Sequence, residues 1–90
     1  MQNYDLCLTL CNERLKESKN EKVYFYKGLV QLALKKYGPA LDSFANAAKK
    51  DAKNYKYYEL QGDCYRNLEV YEVALKNYSQ AAGIMKVESP

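Results

Sequence analysis

Apolar residues recur along this chain at intervals of three and four, which is the spacing of one face of an α-helix. Five such segments follow one another, separated by short polar stretches. They predict helices over about residues 2–17, 21–35, 39–51, 55–68 and 71–85. We therefore expect an all-α fold in which short loops join neighbouring helices.

The first two helices differ in how much of their surface is apolar. The first carries one apolar face, made by Tyr4, Leu8, Cys11 and Leu15. In the second, apolar side chains cover more than half of the circumference. A helix of that kind has to be covered on two sides, so we expect the second helix to lie inside a stack.

Residues suited to helix ends stand at the predicted boundaries. Asn20 and Asn54 precede the second and fourth helices and can cap them. Gly38 can adopt the positive φ of a residue that ends a helix, and Pro39 suits the first turn of the third helix. The sequence thus predicts a turn over residues 36–39, with Gly38 as its left-handed residue.

A 34-residue period dominates the middle and the end of the chain. Residues 24–48 recur 34 positions later, with matched pairs Tyr24/Tyr58, Gly28/Gly62, Tyr37/Tyr71, Ala40/Ala74, Leu41/Leu75, Phe44/Tyr78, Ala47/Ala81 and Ala48/Ala82. A fixed period between about 20 and 50 residues marks a repeat architecture of stacked supersecondary units. Proteins of this kind mostly bind other molecules and seldom catalyse reactions.

The matched glycines Gly28 and Gly62 lie inside predicted helices. A glycine in a helix interior costs about 1 kcal/mol relative to alanine, so its occurrence at the same repeat position twice needs a reason. We expect that the missing Cβ lets the partner helix of each hairpin approach closely.

The two units resemble the tetratricopeptide repeat, a helix–turn–helix of about 34 residues. The resemblance covers about residues 21–88 and rests on Tyr24-x3-Gly28, Tyr37-x2-Ala40-Leu41-x2-Phe44-x2-Ala47 and their counterparts. The chain departs from the family pattern at four kinds of position: Tyr replaces the usual Trp, Lys27 and Gln61 replace the Leu before glycine, Gln31 replaces a Tyr, and Ala52 and Lys86 replace the late Pro. The small-residue framework is intact in both units.

The first helix aligns with residues 37–48 at a shift of 33, so it resembles the second half of an earlier repeat. The expected organisation is a partial repeat over residues 1–20 and full repeats over residues 21–54 and 55–88. The resemblance implies antiparallel hairpins stacked as a short right-handed superhelix, an α-solenoid. Because stacked repeats need neighbours, we expect a fragment of a longer array or a subunit covered by a partner.

By the same resemblance, partners would bind along the concave groove that the first helix of each repeat lines. The residues expected to face it are Lys22, Phe25, Tyr26 and Leu29 in the first unit, and Lys56, Glu59, Leu60, Asp63 and Arg66 in the second. One half of this groove is apolar and the other carries mixed charge. A peptide or helix with an apolar anchor and a flanking charge would fit it.

The ten tyrosines are expected to serve packing as a group, with those at repeat positions, Tyr71 among them, mostly in the core. Tyr26 is the exception. Together with Phe25 it is the candidate binding anchor, because aromatic residues are enriched among interface hot spots.

Arrays of this type serve other functions as well. Co-chaperones of the family hold the acidic tail of heat-shock chaperones with paired Lys, Asn and Arg side chains. Here Phe25, Leu29 and Leu60 occupy the corresponding positions. A carboxylate bound there would lose its hydration and gain few hydrogen bonds, so we do not expect this chain to bind such tails.

The main alternative to peptide binding is a structural role, in which the chain is a segment that stacks on neighbouring repeats, or on itself, within a multiprotein complex.

Composition narrows the function further. The net charge of +3 is too small to indicate nucleic-acid binding, and the basic residues cluster at helix ends, so RNA binding is a lesser alternative. There is no His, no phosphate-binding loop and no nucleophile motif, so we expect neither an enzyme nor a metal or other cofactor.

Three cysteines without a CxxC pair, and no signal-like N-terminus or long apolar stretch, favour a cytoplasmic, reducing environment without a membrane span.

Overall fold

The computed structural model describes residues 3–88 of the chain, and the described part is all-α. Five helices follow one another: α1 (Tyr4–Glu17), α2 (Glu21–Ala33), α3 (Tyr37–Lys50), α4 (Tyr55–Asn67) and α5 (Tyr71–Glu88). The predicted all-α class and the five helices are confirmed, with every boundary within three residues of its predicted position. Gln2, the expected start of the first helix, lies outside the described residues.

The helices form a stacked array that measures 37 × 28 × 21 Å. α2 packs on α3 and α4 packs on α5, while α3 also contacts α4 and α1 contacts α2. α2 is thus covered from two sides, as its wide apolar surface predicts. The loop before α2 spans residues 18–20 and the one before α4 spans residues 51–54. The first loop is one residue shorter, which matches the smaller shift at which the first helix aligns.

Three asparagines cap helices through their side chains. Asn20 Oδ1 accepts a hydrogen bond from Lys22 N at 2.7 Å, and Asn54 Oδ1 accepts one from Lys56 N at 3.1 Å. Both expected caps are therefore confirmed. Asn3 does the same for α1, where it accepts from Leu6 N at 3.0 Å.

The turns after α2 and α4 have a left-handed residue, but it is not glycine. Lys35 has φ 62° and Glu69 has φ 63°, whereas no described glycine has positive φ. The prediction for Gly38 is therefore wrong. Lys36 N donates to Gln31 O at 2.8 Å and Lys35 N to Leu32 O at 2.9 Å, which is the Schellman pattern. These bonds end α2 earlier than expected and place the positive φ at Lys35. Gly38 lies inside α3 instead.

The core lies where α2, α3 and α4 meet. Ala40, Phe44 and Cys64 are fully buried there, and Phe25 and Leu29 of α2 pack against them. A second, adjoining cluster is formed by Ala47, Ala48 and Tyr57. Small residues on α3 thus let α2 and α4, which we call the inner helices, approach it closely.

The two interior glycines provide the close approach that their repeat position predicts. A Cβ on Gly28 would lie 2.6 Å from Phe44 Cε1, and one on Gly62 would lie 2.7 Å from Tyr78 Cε1. Real Cβ atoms do not approach other atoms so closely. The packing explanation for these glycines is confirmed.

The tyrosines at repeat positions are not all in the core. Tyr24, Tyr37, Tyr58, Tyr65 and Tyr78 are half-buried, but Tyr71 is 62% exposed, so the core prediction for Tyr71 is wrong. Its side chain lies at the start of α5, where no described helix follows to cover it. Tyr57, by contrast, is only 4% exposed because Phe25 and α3 cover it.

Candidate interaction surfaces

The inner helices α2 and α4 present a polar edge at their first turns. Lys22 and Lys56 occupy equivalent positions in the two repeats, and both are exposed. Each backbone N–H donates to the asparagine cap two residues earlier, so the two lysines stand at equivalent places in the first turns of α2 and α4. This edge can attract an acidic group on a partner.

Three apolar residues predicted for the groove are partly used by the fold itself. Phe25, Leu29 and Leu60 are half-buried, and all three pack against the cluster around Phe44. The ring centroid of Phe25 lies 6.4 Å from that of Phe44 and 5.6 Å from that of Tyr57. Phe25 therefore joins α2 to both α3 and α4, and only part of its surface is left for a ligand.

Tyr26 is the most accessible large apolar group of the predicted set. It is 55% exposed, and its ring lies 5.6 Å from that of Phe25, with the two planes inclined by 48°. An exposed ring braced by a half-buried one loses little conformational freedom on binding. This is the property expected of a binding anchor.

The acidic part of the predicted groove is tied to α5. Tyr78 donates a hydrogen bond from its hydroxyl to Asp63 Oδ1 at 2.5 Å, and Arg66 Nη2 lies 3.7 Å from the same oxygen. Burial, together with the bond to Asp63, raises the pKa of Tyr78 to about 12. Glu59 is half-buried one turn earlier on α4. Asp63 thus serves the α4–α5 contact, while Arg66 is exposed beside it.

A groove that the sequence did not predict runs between α1 and α2, and we call it the N-terminal groove. It consists of two adjoining cavities of about 240 and 430 Å³, and Leu10, Cys11 and Tyr26 line both. The further lining residues are Arg14 and Val23 of the first cavity and Cys7, Leu29 and Val30 of the second. The walls are mostly apolar, with Arg14 at one end.

One sequence signal could have revealed the N-terminal groove. The predicted apolar face of α1, with Tyr4, Leu8, Cys11 and Leu15, consists of the half-buried residues of that helix. Leu10 lies outside this face and is 52% exposed. In the alignment of α1 with α3, Leu10 corresponds to Ser43, which is buried against α2. Leu10 is thus an exposed apolar residue at a position that is buried in α3. This difference indicates a second contact surface on α1.

The three cysteines are free thiols in different environments. Cys7 is exposed, Cys11 is half-buried and Cys64 is fully buried. Burial, and to a lesser extent the neighbouring Cys7, raises the pKa of Cys11, while Lys27 opposes the shift. Burial raises the pKa of Cys64 to about 11, with a smaller contribution from Asp63. Neither group is activated as a nucleophile.

A further apolar cavity, of about 520 Å³, lies along the last turns of α5. Gln80, Gly83, Ile84 and Val87 line it, together with Lys53 from the loop before α4. On the same helix, Leu75 is 66% exposed. The exposed surface of α5, which we call the outer end of the array, is therefore apolar as well. Within residues 3–88, no helix is long and apolar enough to cross a membrane.

Comparison with solved structures identifies the architecture. MamA MSR-1 matches with a TM-score of 0.91 at 23% identity, over 96% of this chain and 50% of that one. MamA AMB-1 matches with a TM-score of 0.88 at 24% identity, over 92% of this chain and 50% of that one. No family model matches the chain, and no curated protein is found as a relative. The chain spans about half the length of the two MamA structures and shares their all-α helical-repeat fold.

Proposed function

We propose that this chain is a protein-interaction module of the tetratricopeptide type, which binds a peptide or helix of a partner on the surface formed by α2 and α4. The observation that carries the proposal is the exposed ring of Tyr26, which lies against Phe25 on an inner helix. The exposed part of such a ring adds no stability to the isolated domain. An interaction surface gains an anchor.

The charges around Tyr26 define the ligand. Lys22 and Lys56 form a basic edge, whereas Glu59 and the Asp63–Arg66 pair give the far end of α4 a mixed charge. A ligand with an aromatic or aliphatic anchor and an acidic residue near the basic edge would complement both parts. An acidic chaperone tail fits less well, because the positions that would pair with its carboxylates are apolar.

The proposal contains no catalytic step. In the part of the chain that the structure describes, no group of three or more His, Cys, Asp or Glu side chains could hold a metal ion. The Asp63 carboxylate is already engaged by Tyr78 and Arg66. The surface offers recognition groups, and we assign it to a scaffold role within a complex.

The test is selection of ligands from a random peptide library, followed by affinity measurement on variants. Peptides bound by the wild-type chain should carry an apolar anchor. Tyr26→Ala should weaken them by about tenfold or more, which corresponds to loss of an aromatic hot spot. Lys56→Glu should weaken those with an acidic flank.

Lys76→Glu is the matched control for Lys56→Glu, because Lys76 is also exposed but lies on α5. Circular dichroism checks that each variant keeps its helicity. If peptides bind Tyr26→Ala as well as they bind the wild type, the α2/α4 surface is not the binding site.

A second candidate function is stacking on neighbouring repeats at the outer end of the array. The observation in its favour is Leu75, which is 66% exposed although its repeat counterpart Leu41 is half-buried and packs on the core. Sedimentation tests it, because a stacking segment should self-associate and Leu75→Glu should abolish the association. A monomer at all concentrations would favour the first function.

A further inference from the structure

The N-terminal groove has a counterpart inside the array that is already occupied. There, α2 lies over α3 and α4, and its residues Phe25, Leu29 and Leu32 pack against Ala40, Phe44 and Cys64. All three of those supporting residues are fully buried. The array therefore shows which kind of element covers a face made by an outer helix and the inner helix that follows it.

The sequence period relates that covered face to the N-terminal groove. In the repeat alignment, Cys7 and Cys11 of α1 correspond to Ala40 and Phe44, and Val30 of α2 corresponds to Cys64. These three counterparts line one cavity of the groove. Cys7 is exposed, and Cys11 and Val30 are half-buried, whereas Ala40, Phe44 and Cys64 have no exposed surface.

We propose that an amphipathic α-helix of a partner protein docks in the N-terminal groove, in the position that α2 takes over α3 and α4. The docked helix would contact α1 and α2 together and would continue the existing interface by one step. The groove shares Tyr26 and Leu29 with the α2/α4 surface, but the contacts that decide this proposal are those with Cys7, Leu10 and Cys11 of α1.

The groove specifies where the docked helix must differ from α2. Gly28 of α2 has no room for a Cβ because the ring of Phe44 lies against it. In the N-terminal groove the counterpart of Phe44 is the much smaller Cys11, which borders the cavity of about 430 Å³. A large apolar side chain therefore fits where α2 has Gly28.

Two more positions follow from the contacts of α2. Gln31 accepts a hydrogen bond from Ser43 Oγ, and Leu10 stands in the place of Ser43, so the docked helix needs an apolar residue where α2 has Gln31. Arg14 stands in the place of Ala47, whose cluster contacts Tyr24. An acidic residue where α2 has Tyr24 would therefore meet Arg14.

Two peptides test the position of the helix. Both contain residues 19–36 of this chain with Gln31→Leu, and the second also carries Gly28→Leu. The wild-type chain should bind the second peptide about tenfold more tightly than the first, because a leucine side chain enters the cavity beside Cys11. In Cys11→Phe the cavity is filled as in the inner repeat, and the order of the two affinities should reverse.

The reversal separates docking from helix propensity, since leucine favours the helix in either complex. Leu10→Asp should abolish binding of both peptides, whereas Lys56→Glu, on the α2/α4 surface, should leave it unchanged. Loss of binding in Lys56→Glu alone would assign the peptides to the α2/α4 surface and overturn the proposal.

The native thiols give an independent measurement on the wild-type chain, which decides the matter if Cys11→Phe fails to fold. A saturating amount of the second peptide should slow alkylation of Cys7 and Cys11 by about tenfold or more, whereas the buried Cys64 stays unreactive with or without peptide. Unchanged alkylation of Cys7 and Cys11 would overturn the proposal. The proposal would also be overturned if the chain dimerised without any peptide and Leu10→Asp abolished the dimer. That result would assign the groove to a second copy of the chain.

Discussion

Gly28 lies directly against the ring of Phe44, and a Cβ at this glycine would be 2.6 Å from Phe44 Cε1. The ring cannot move away easily, because Phe44 is fully buried and Phe25 also packs against it. The contact fixes how closely α2 and α3 approach. It recurs in the second repeat between Gly62 and Tyr78, so one small residue sets the spacing of each hairpin.

Gly28→Ala should therefore destabilise the chain although alanine is the better helix former. The helix gains about 1 kcal/mol from the substitution, while the clash with a fully buried ring costs about 1–3 kcal/mol and disturbs the surrounding core. We expect a net loss of about 1 kcal/mol in the free energy of unfolding, measured by urea denaturation.

Gly83→Ala is the matched control, because Gly83 is also inside a helix but has nothing within 4 Å of its Cβ position. That variant should be more stable than the wild type, by up to about 1 kcal/mol. The two substitutions are chemically identical and should have opposite signs. An increase in stability for Gly28→Ala would contradict the close-approach explanation.

The 34-residue period predicted these glycine contacts. Glycine is unfavourable inside a helix, so its presence at the same position of both repeats indicated that the same neighbouring helix packs against it each time. The period did not locate the left-handed residue of the turn, since the pattern gives a preference for glycine and not the place where α2 ends. The second unit held the missing information. Its turn at Glu69 has no glycine nearby, and Lys35 is the counterpart of Glu69 in the first unit.

The candidate surfaces were predictable to a smaller extent. The spacing of apolar residues on α2 predicts two covered sides, but it does not say that Phe25 reaches both Phe44 and Tyr57. That contact depends on the angle between α2 and α4, which no local pattern encodes. The N-terminal groove likewise depends on how α1 is placed against α2.

Replacement of Gln31 tests the polar contact inside the first hairpin. Ser43 Oγ donates to Gln31 Oε1 at 2.6 Å, and both side chains are buried. Gln31→Leu leaves the hydroxyl without this acceptor and should lower the free energy of unfolding by about 1–3 kcal/mol. The double variant Gln31→Leu/Ser43→Ala should recover most of the loss, because both polar partners are then removed. Additive losses in the double variant would show that the two side chains act independently.

Glycine at the left-handed positions should stabilise the turns. Lys35 and Glu69 adopt φ values of 62° and 63°, which cost an L-residue about 1–2 kcal/mol. Lys35→Gly and Glu69→Gly remove this strain but increase the entropy of the unfolded chain, so each should gain about 0.5–1 kcal/mol by thermal or urea denaturation. Lys36→Gly, one residue further on, is the control and should not stabilise, because Lys36 has φ −93°.

The bond from Tyr78 to Asp63 should make the fold sensitive to alkaline pH. Burial and this bond favour the neutral phenol and raise the pKa of Tyr78 from 10.0 to about 12. Because the folded pKa is the higher one, the contribution to stability is complete below pH 10 and is lost as the pH rises from 10 to 12. Tyr78→Phe has no phenolic proton to lose at residue 78, so its free energy of unfolding should fall less steeply over this range in urea titrations.

Cys64→Ala is the control, because the pKa of Cys64 is also raised, from 9.0 to about 11. In this variant the free energy of unfolding should fall less steeply between pH 9 and 11 but should still decline above pH 11. Equal slopes for Tyr78→Phe and the wild type between pH 10 and 12 would show that the hydroxyl of Tyr78 is not held by Asp63 in solution.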